Sequence, residues 1–210
     1  QLCESCRLCE KTCDANAISF EGSDIPLIDE LACTGCGACV AACPTGALDL
    51  PGFTRQQLKT AVDTACQNNP LQPIVIGFLC NWCAYAAADS AGVNRLRYPP
   101  QLIPIRVPCS GRLDPLLILE AFSQGADGVA ILGCHEHDCY YRTGMTKTKG
   151  RVENMLPILN EMGINPDRLF LEGTAASEGG RLVELVSDFV KKIAEMGPLG
   201  AELIVSTKSR

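Results

Sequence analysis

No apolar run in the 210 residues approaches the ~18 needed to cross a bilayer. The longest candidate, PIVIGFLC at residues 73–80, has the length of a buried strand. Basic residues are in deficit: 18 Lys and Arg stand against 24 Asp and Glu, a net charge of −6. That argues against the cationic face of a nucleic-acid binder. No charged-then-apolar signal segment opens the chain, and neither a P-loop nor a GxGxxG after a strand is present, so no nucleotide site is expected. The expected location is cytoplasmic, without direct membrane insertion and at most peripherally associated with a membrane complex. The chain opens on Gln1, and the first candidate ligand is already Cys3. The reading is a fragment, the C-terminal part of a longer polypeptide.

What the sequence has in abundance is cysteine: fourteen, eight of them between Cys3 and Cys43. A secreted disulfide framework would suit a short chain without a core. Here apolar strands and amphipathic helices supply cores, and the thiols recur at two intervening residues, the spacing of metal ligands.

The run Cys3-x2-Cys6-x2-Cys9-x3-Cys13 is answered by Cys33-x2-Cys36-x2-Cys39-x3-Cys43-Pro44. Three cysteines at i, i+3 and i+6 close on three corners of one cubane, and the fourth, after a short helical step, points to the other cluster. The expectation is two [4Fe-4S] clusters: cluster I on Cys3, Cys6, Cys9 and Cys43, cluster II on Cys33, Cys36, Cys39 and Cys13. Gly35 and Gly37 let backbone amides approach the inorganic sulfides. Zinc would instead favour two CxxC pairs far apart. Residues 17–20 and 25–29 read as a hairpin turning at Gly22, and 47–50 as a matching short strand. The repeat is imperfect, with Asp14 where the second run has Pro44.

Thr54 can cap a helix to about Gln67, with Leu58, Ala61, Val62, Ala65 and Cys66 on one face; Cys66 is then a core residue. Strands follow at 74–79, 102–107, 128–132 and 168–172. They alternate with helices at 84–91, from Asp114-Pro115, at 147–162 and at 177–196 under a Ser177 cap. That alternation means a mostly parallel sheet of about four strands covered on both faces. The fold class is thus an α+β two-cluster ferredoxin domain followed by an α/β domain. The expected divisions are 1–51 ferredoxin, 52–73 helical linker, 74–198 α/β domain and 199–210 tail.

Cys80, Cys109 and Cys134 each fall just past the C-terminal end of a strand, with Cys83 and Cys139 in the loops after the first and third. Ligands bind at that edge of an open parallel sheet. Four thiolates would hold a [2Fe-2S] cluster. A structural zinc also fits, as does a dithiol–disulfide pair at Cys80 and Cys83. His135 and His137 raise a Rieske-like site, but only one Cys-x-His arm is present. Arg95, Arg97, Arg106, Arg112 and Arg142 flank these loops, either raising the potential of an anionic cluster, docking an acidic partner, or simply solvated. Lys147, Lys149 and Arg151 read as a solvated helix start, Met145, Met155 and Met162 as packing, and Trp82, Tyr85, Tyr140 and Tyr141 as shields against water.

Five blocks in a fixed order resemble one family: CNWCAYAAADSAG at 80–92, RLRYPP at 95–100, RVPCSGRLDP at 106–115, GADGVAILGCHEHDCYYRTG at 125–144 and TAASEGGR at 174–181. They are similar to the delta, iron-sulfur subunit of methyl-viologen-reducing hydrogenase. CTGCGACVAACPTGALDL at 33–50, with GFTRQQL after it, resembles the C-terminal ferredoxin of the A-type polypeptide of heterodisulfide reductase. The related B subunit of the quinone-interacting membrane-bound oxidoreductase carries such a fusion. The resemblance implies a [2Fe-2S] cluster on four of Cys80, Cys83, Cys109, Cys134 and Cys139. It also implies electron relay between a donor of hydrogenase or formate dehydrogenase type and the flavin of a heterodisulfide reductase-like complex. FAD belongs to the upstream or partner portion, and no catalytic site of the chain's own is implied.

Overall fold

The computed structural model describes residues 2–67 and 69–200. Its N-terminal lobe contains α1 (Leu8–Lys11), the antiparallel pair β1 (Ile18–Ser19) and β2 (Leu27–Ile28), and α2 (Ala38–Ala42). A lobe this small buries little: Cys9, Ile18 and Phe20, with Leu48 packed against them, form its apolar centre. Residues 47–50 make no strand. Their amides turn onto the Cys43 sulfur instead, as described below.

α3 (Arg55–Cys66) opens on a capping box, in which the Thr54 hydroxyl accepts the Gln57 N–H and the Gln57 side chain accepts the Thr54 N–H. The remaining elements are β3 (Val75–Cys80), α4 (Ala84–Val93), β4 (Leu102–Val107), α5 (Pro115–Ser123), β5 (Gly128–Gly133), α6 (Gly144–Glu161), β6 (Leu169–Gly173) and α7 (Gly179–Met196). The four long strands are all parallel, in the order β4-β3-β5-β6.

Alternation along β3 sends Ile76 and Phe78 to one face and Val75 and Leu79 to the other. The first face is covered by α3, α5 and α6 through Val62, Ile118 and Met155, the second by α4 and α7 through Ala87 and Phe189. α3 is therefore part of this core and no free linker, because Leu58, Val62 and Cys66 are buried in it. Leu199 is also buried there, so the expected tail begins as core; residues 201–210 lie outside the described residues. α7 starts two residues later than expected, and Ser177 does not cap it. α6 starts three residues earlier, at Gly144, which matters for the thiols.

Asp127 ties the two ends of the α/β core together. Its buried carboxylate accepts the N–H of Ile74 at 2.8 Å and of Leu199 at 2.9 Å. Asp127→Ala would leave both buried donors unsatisfied, at about 1–3 kcal/mol each. The expected result is a loss of that order in chemical denaturation, with the cysteine-bearing edge of the sheet intact.

Candidate functional site

The strand order carries a switch point. The connection leaving β3 passes over one face through α4, whereas that leaving β5 passes over the other through α6. Adjacent strands whose connections diverge leave a crevice at their C-terminal ends. Cys80 closes β3 and Cys134 follows β5, with Cys83, Cys109 and Cys139 on the three surrounding loops. All five expected thiols meet there. Cys80 Sγ lies 3.9 Å from Cys134 Sγ, and Cys83 Sγ lies 2.8 Å from it. Cys109 neighbours Cys80 and Cys139, and Cys139 also neighbours Cys134.

The shared protons divide the cluster. Hydrogen bonds to their neighbours raise the Cys109 and Cys134 thiols, and burial adds to this. Bonds from the same neighbours lower Cys80, Cys83 and Cys139 against the opposing effect of burial. Backbone N–H groups support the lowered sulfurs: Trp82 and Cys83 at Cys80, Met145 and Tyr141 at Cys139. The N-termini of α4 and α6 open at this point, so the site favours negative charge. Its donor set, soft thiolates under amide donors, fits an iron-sulfur group. Among the described residues no three His, Cys, Asp or Glu side chains form a shell for a single metal ion.

Gly144, missed from the sequence, makes the convergence possible. A Cβ there would drive into the Cys109 sulfur and stand 3.3 Å from that of Cys139. The His135 ring is held elsewhere, with Nε2 2.7 Å from Glu178 Oε2, and His137 is exposed. Trp82 stacks on Tyr140 at 3.9 Å and donates to the Tyr141 hydroxyl at 3.0 Å, linking the loops of Cys83 and Cys139. Tyr85 takes no part in this aromatic cluster; it packs on the second face of the sheet, beneath the Arg106 guanidinium.

In the N-terminal lobe the fourth cysteine of each run has a neighbour in the other run, Cys13 at Cys39 and Cys43 at Cys9. Burial pushes Cys39 up to about 11, reinforced by its neighbours Cys36, Cys13 and Cys33. Burial also raises Cys9, whose thiol neighbours are Cys43 and Cys6. The Cys3 thiol faces the Asp24 carbonyl at 3.9 Å. Cys43 is lowered although burial opposes it, because N–H groups of Leu48, Ala47 and Thr45 and the Thr45 hydroxyl converge on its sulfur. Cys13 receives the Ala17 N–H at 3.4 Å. Gly35 and Gly37 both adopt positive φ, as the loop between thiols requires.

The two lobes meet through charges that the sequence did not place. Arg55 donates to Asp114 at 2.7 Å and to the carbonyls of Val40 and Cys43. Arg112 is fully buried, donates to the Phe53 carbonyl, and passes so close to Gly37 that a Cβ there would meet its Cδ at 2.6 Å. Arg151 is no solvated residue, since it donates to the carbonyls of Gly111 and Leu113. Lys147 reaches the Thr12 carbonyl at 2.7 Å and Asp14 at 2.9 Å. The other flanking arginines, Arg95, Arg97, Arg106 and Arg142, are exposed. Met145 and Met155 pack inside while Met162 is exposed. Tyr141 feels both Cys109 and Cys36, one thiol from each lobe.

Residues 75–197 match the family model described as methyl-viologen-reducing hydrogenase, delta subunit. The chain belongs to that family. Residues 2–69 match a 4Fe-4S dicluster domain, so this family member also carries a ferredoxin-like lobe for iron-sulfur clusters. Among relatives, the F420-non-reducing hydrogenase iron-sulfur subunits D of Methanococcus voltae and Archaeoglobus profundus are 48% and 44% identical. These matches cover 60% and 62% of this chain, and 88% and 96% of those subunits. The A-type polypeptide of the ferredoxin:CoB-CoM heterodisulfide reductase of Methanosarcina mazei is 40% identical over 84% of this chain. The chain spans only 26% of that protein's length. The chain is an iron-sulfur electron-transfer module of the kind found in hydrogenase and heterodisulfide reductase. No helix among the described residues is long and apolar enough to cross a membrane.

Proposed function

We propose that the chain relays single electrons between a donor of hydrogenase or formate dehydrogenase type and the flavin of a heterodisulfide reductase-like complex. That FAD is held by a partner or by an upstream portion. The observation that carries the reading is the convergence of five thiols at the sheet's switch point, with the ferredoxin lobe tied beside it through Lys147 to Thr12 and Asp14. Cys3, Cys6, Cys9 and Cys43 hold one [4Fe-4S] cluster, and Cys33, Cys36, Cys39 and Cys13 the other. Four of Cys80, Cys83, Cys109, Cys134 and Cys139 hold a [2Fe-2S] cluster. When bound, such clusters accept and release one electron at a time. Amides at Cys43, Cys80 and Cys139 stabilise the anionic sulfurs, and the aromatic cluster of Trp82, Tyr140 and Tyr141 keeps water from the crevice. The divisions 1–51 and 74–198 then serve as a ferredoxin unit and a second redox unit, with 52–73 carrying the helix that packs on the second.

Anaerobic iron, sulfide and zinc analysis with EPR of the dithionite-reduced protein tests this. The expected result is about ten irons per chain and a [2Fe-2S] signal beside two interacting cubanes. About eight irons with one zinc would make the α/β domain a docking scaffold. About eight without zinc would assign its thiols to disulfide exchange.

A further inference from the structure

The internal repeat differs just after its fourth cysteine: the second run ends Cys43-Pro44, the first Cys13-Asp14. Proline there restrains the turn by itself. Asp14 acts across the seam instead. One carboxylate oxygen accepts the Thr143 hydroxyl, and the other accepts the Lys147 ammonium at 2.9 Å. The same ammonium donates to the Thr12 carbonyl at 2.7 Å, on the other side of Cys13. Burial pushes the Asp14 carboxyl up, but the bonds from Thr143 and Lys147 outweigh it and hold it below the usual range.

Both partners stand where the α/β domain gathers its thiols. Thr143 precedes Gly144, whose backbone packs on Cys109 and Cys139, and Lys147 lies one turn further into α6. The contact therefore ties the loop of Cys13 directly to the loop of Cys139. The second tie across the seam, Arg55, reaches different segments, the carbonyls of Val40 and Cys43. Two separated ties fix both distance and orientation where one would act as a hinge. Tyr141, two residues before Thr143, feels the charge of both Cys36 and Cys109.

We propose that Asp14, with Lys147 and Thr143, is a positioning residue for electron exchange between the lobes, setting the gap between the cluster at Cys13 and the thiol site at Cys139. The inference rests on the relay proposed above. Electron tunnelling falls steeply with the gap between centres, whereas an ion pair at this exposure adds little to folding stability. Loss of the clasp should thus slow transfer in a protein that still folds and keeps its clusters.

The test compares wild type with Asp14→Ala, Lys147→Met and Asp14→Glu, all as full chains with clusters. Iron content and each centre's own EPR signal should be unchanged in the variants. Spin coupling between the α/β-domain centre and its neighbouring cubane should weaken in Asp14→Ala and Lys147→Met. Electron equilibration after rapid partial reduction should slow several-fold in both, and Asp14→Glu should recover most of it. Lys147→Met acts from the far side of the seam and keeps the test decisive if Asp14→Ala disturbs the Cys13 loop. Unchanged coupling and equilibration in Lys147→Met would overturn the positioning role alone. A wild-type protein lacking the α/β-domain signal would instead overturn the relay on which it rests.

Discussion

Cys80→Ser is expected to erase the α/β-domain iron-sulfur signal while both ferredoxin signals persist, with iron falling from about ten to about eight per chain. Cys80 is 1% exposed, ends β3, and sits next to Cys109 and Cys134. A serine oxygen in its place is a harder and weaker ligand for iron among soft sulfurs. The strand itself should survive, because Cys80 is paired in register with Val107 and its backbone is held by β4. Serine is also close to cysteine in size, so the surrounding core keeps its packing. The cubane ligands lie in a lobe with its own apolar centre and should not respond. Iron analysis and EPR on the same preparation check this, and an unaltered α/β-domain signal would remove Cys80 from the ligand set.

Cysteine spacing and apolar periodicity made much of this molecule legible, because both are local. CxxCxxCxxxC marks a cluster loop before anything is known of its surroundings, and PIVIGFLC marks a strand buried on both faces. The edge of the sheet at which Cys80, Cys109 and Cys134 gather also follows from strand ends alone. What failed was decided by contacts between distant segments. Residues 47–50 have the composition of a strand, yet the Cys43 sulfur draws their amides away from pairing. Lys147 and Arg151 look like ordinary charges at a helix start, and only the arrival of the ferredoxin lobe and the Gly111 loop gives them partners. Leu199 follows a Gly-Pro break that suggests a tail, but Asp127, seventy-two residues earlier, holds its N–H in the core. Gly144 carried a faint signal, as a small residue five positions after Cys139, but its role depends on how closely the Cys109 loop approaches.

Cys13→Ser should disable the cluster of the second cysteine run, not of its own, and Cys43→Ser the reverse. The thiol neighbours are already exchanged, since Cys39 lies among Cys36, Cys13 and Cys33, and Cys9 beside Cys43 and Cys6. Loss of one corner ligand costs a [4Fe-4S] centre an iron or the whole cluster, so each variant should keep about four intact cubane irons. The decisive comparison pairs each variant with a member of the other run. If the ligands cross, the EPR signal left by Cys13→Ser matches that left by Cys33→Ser, and Cys43→Ser matches Cys3→Ser. Matching Cys13→Ser with Cys3→Ser would establish uncrossed clusters instead. Crossing carries a further consequence, because Cys36 is the ferredoxin thiol whose charge reaches Tyr141 together with that of Cys109. Cys13→Ser alone should therefore also alter the spin coupling to the α/β-domain centre, while Cys43→Ser leaves it in place.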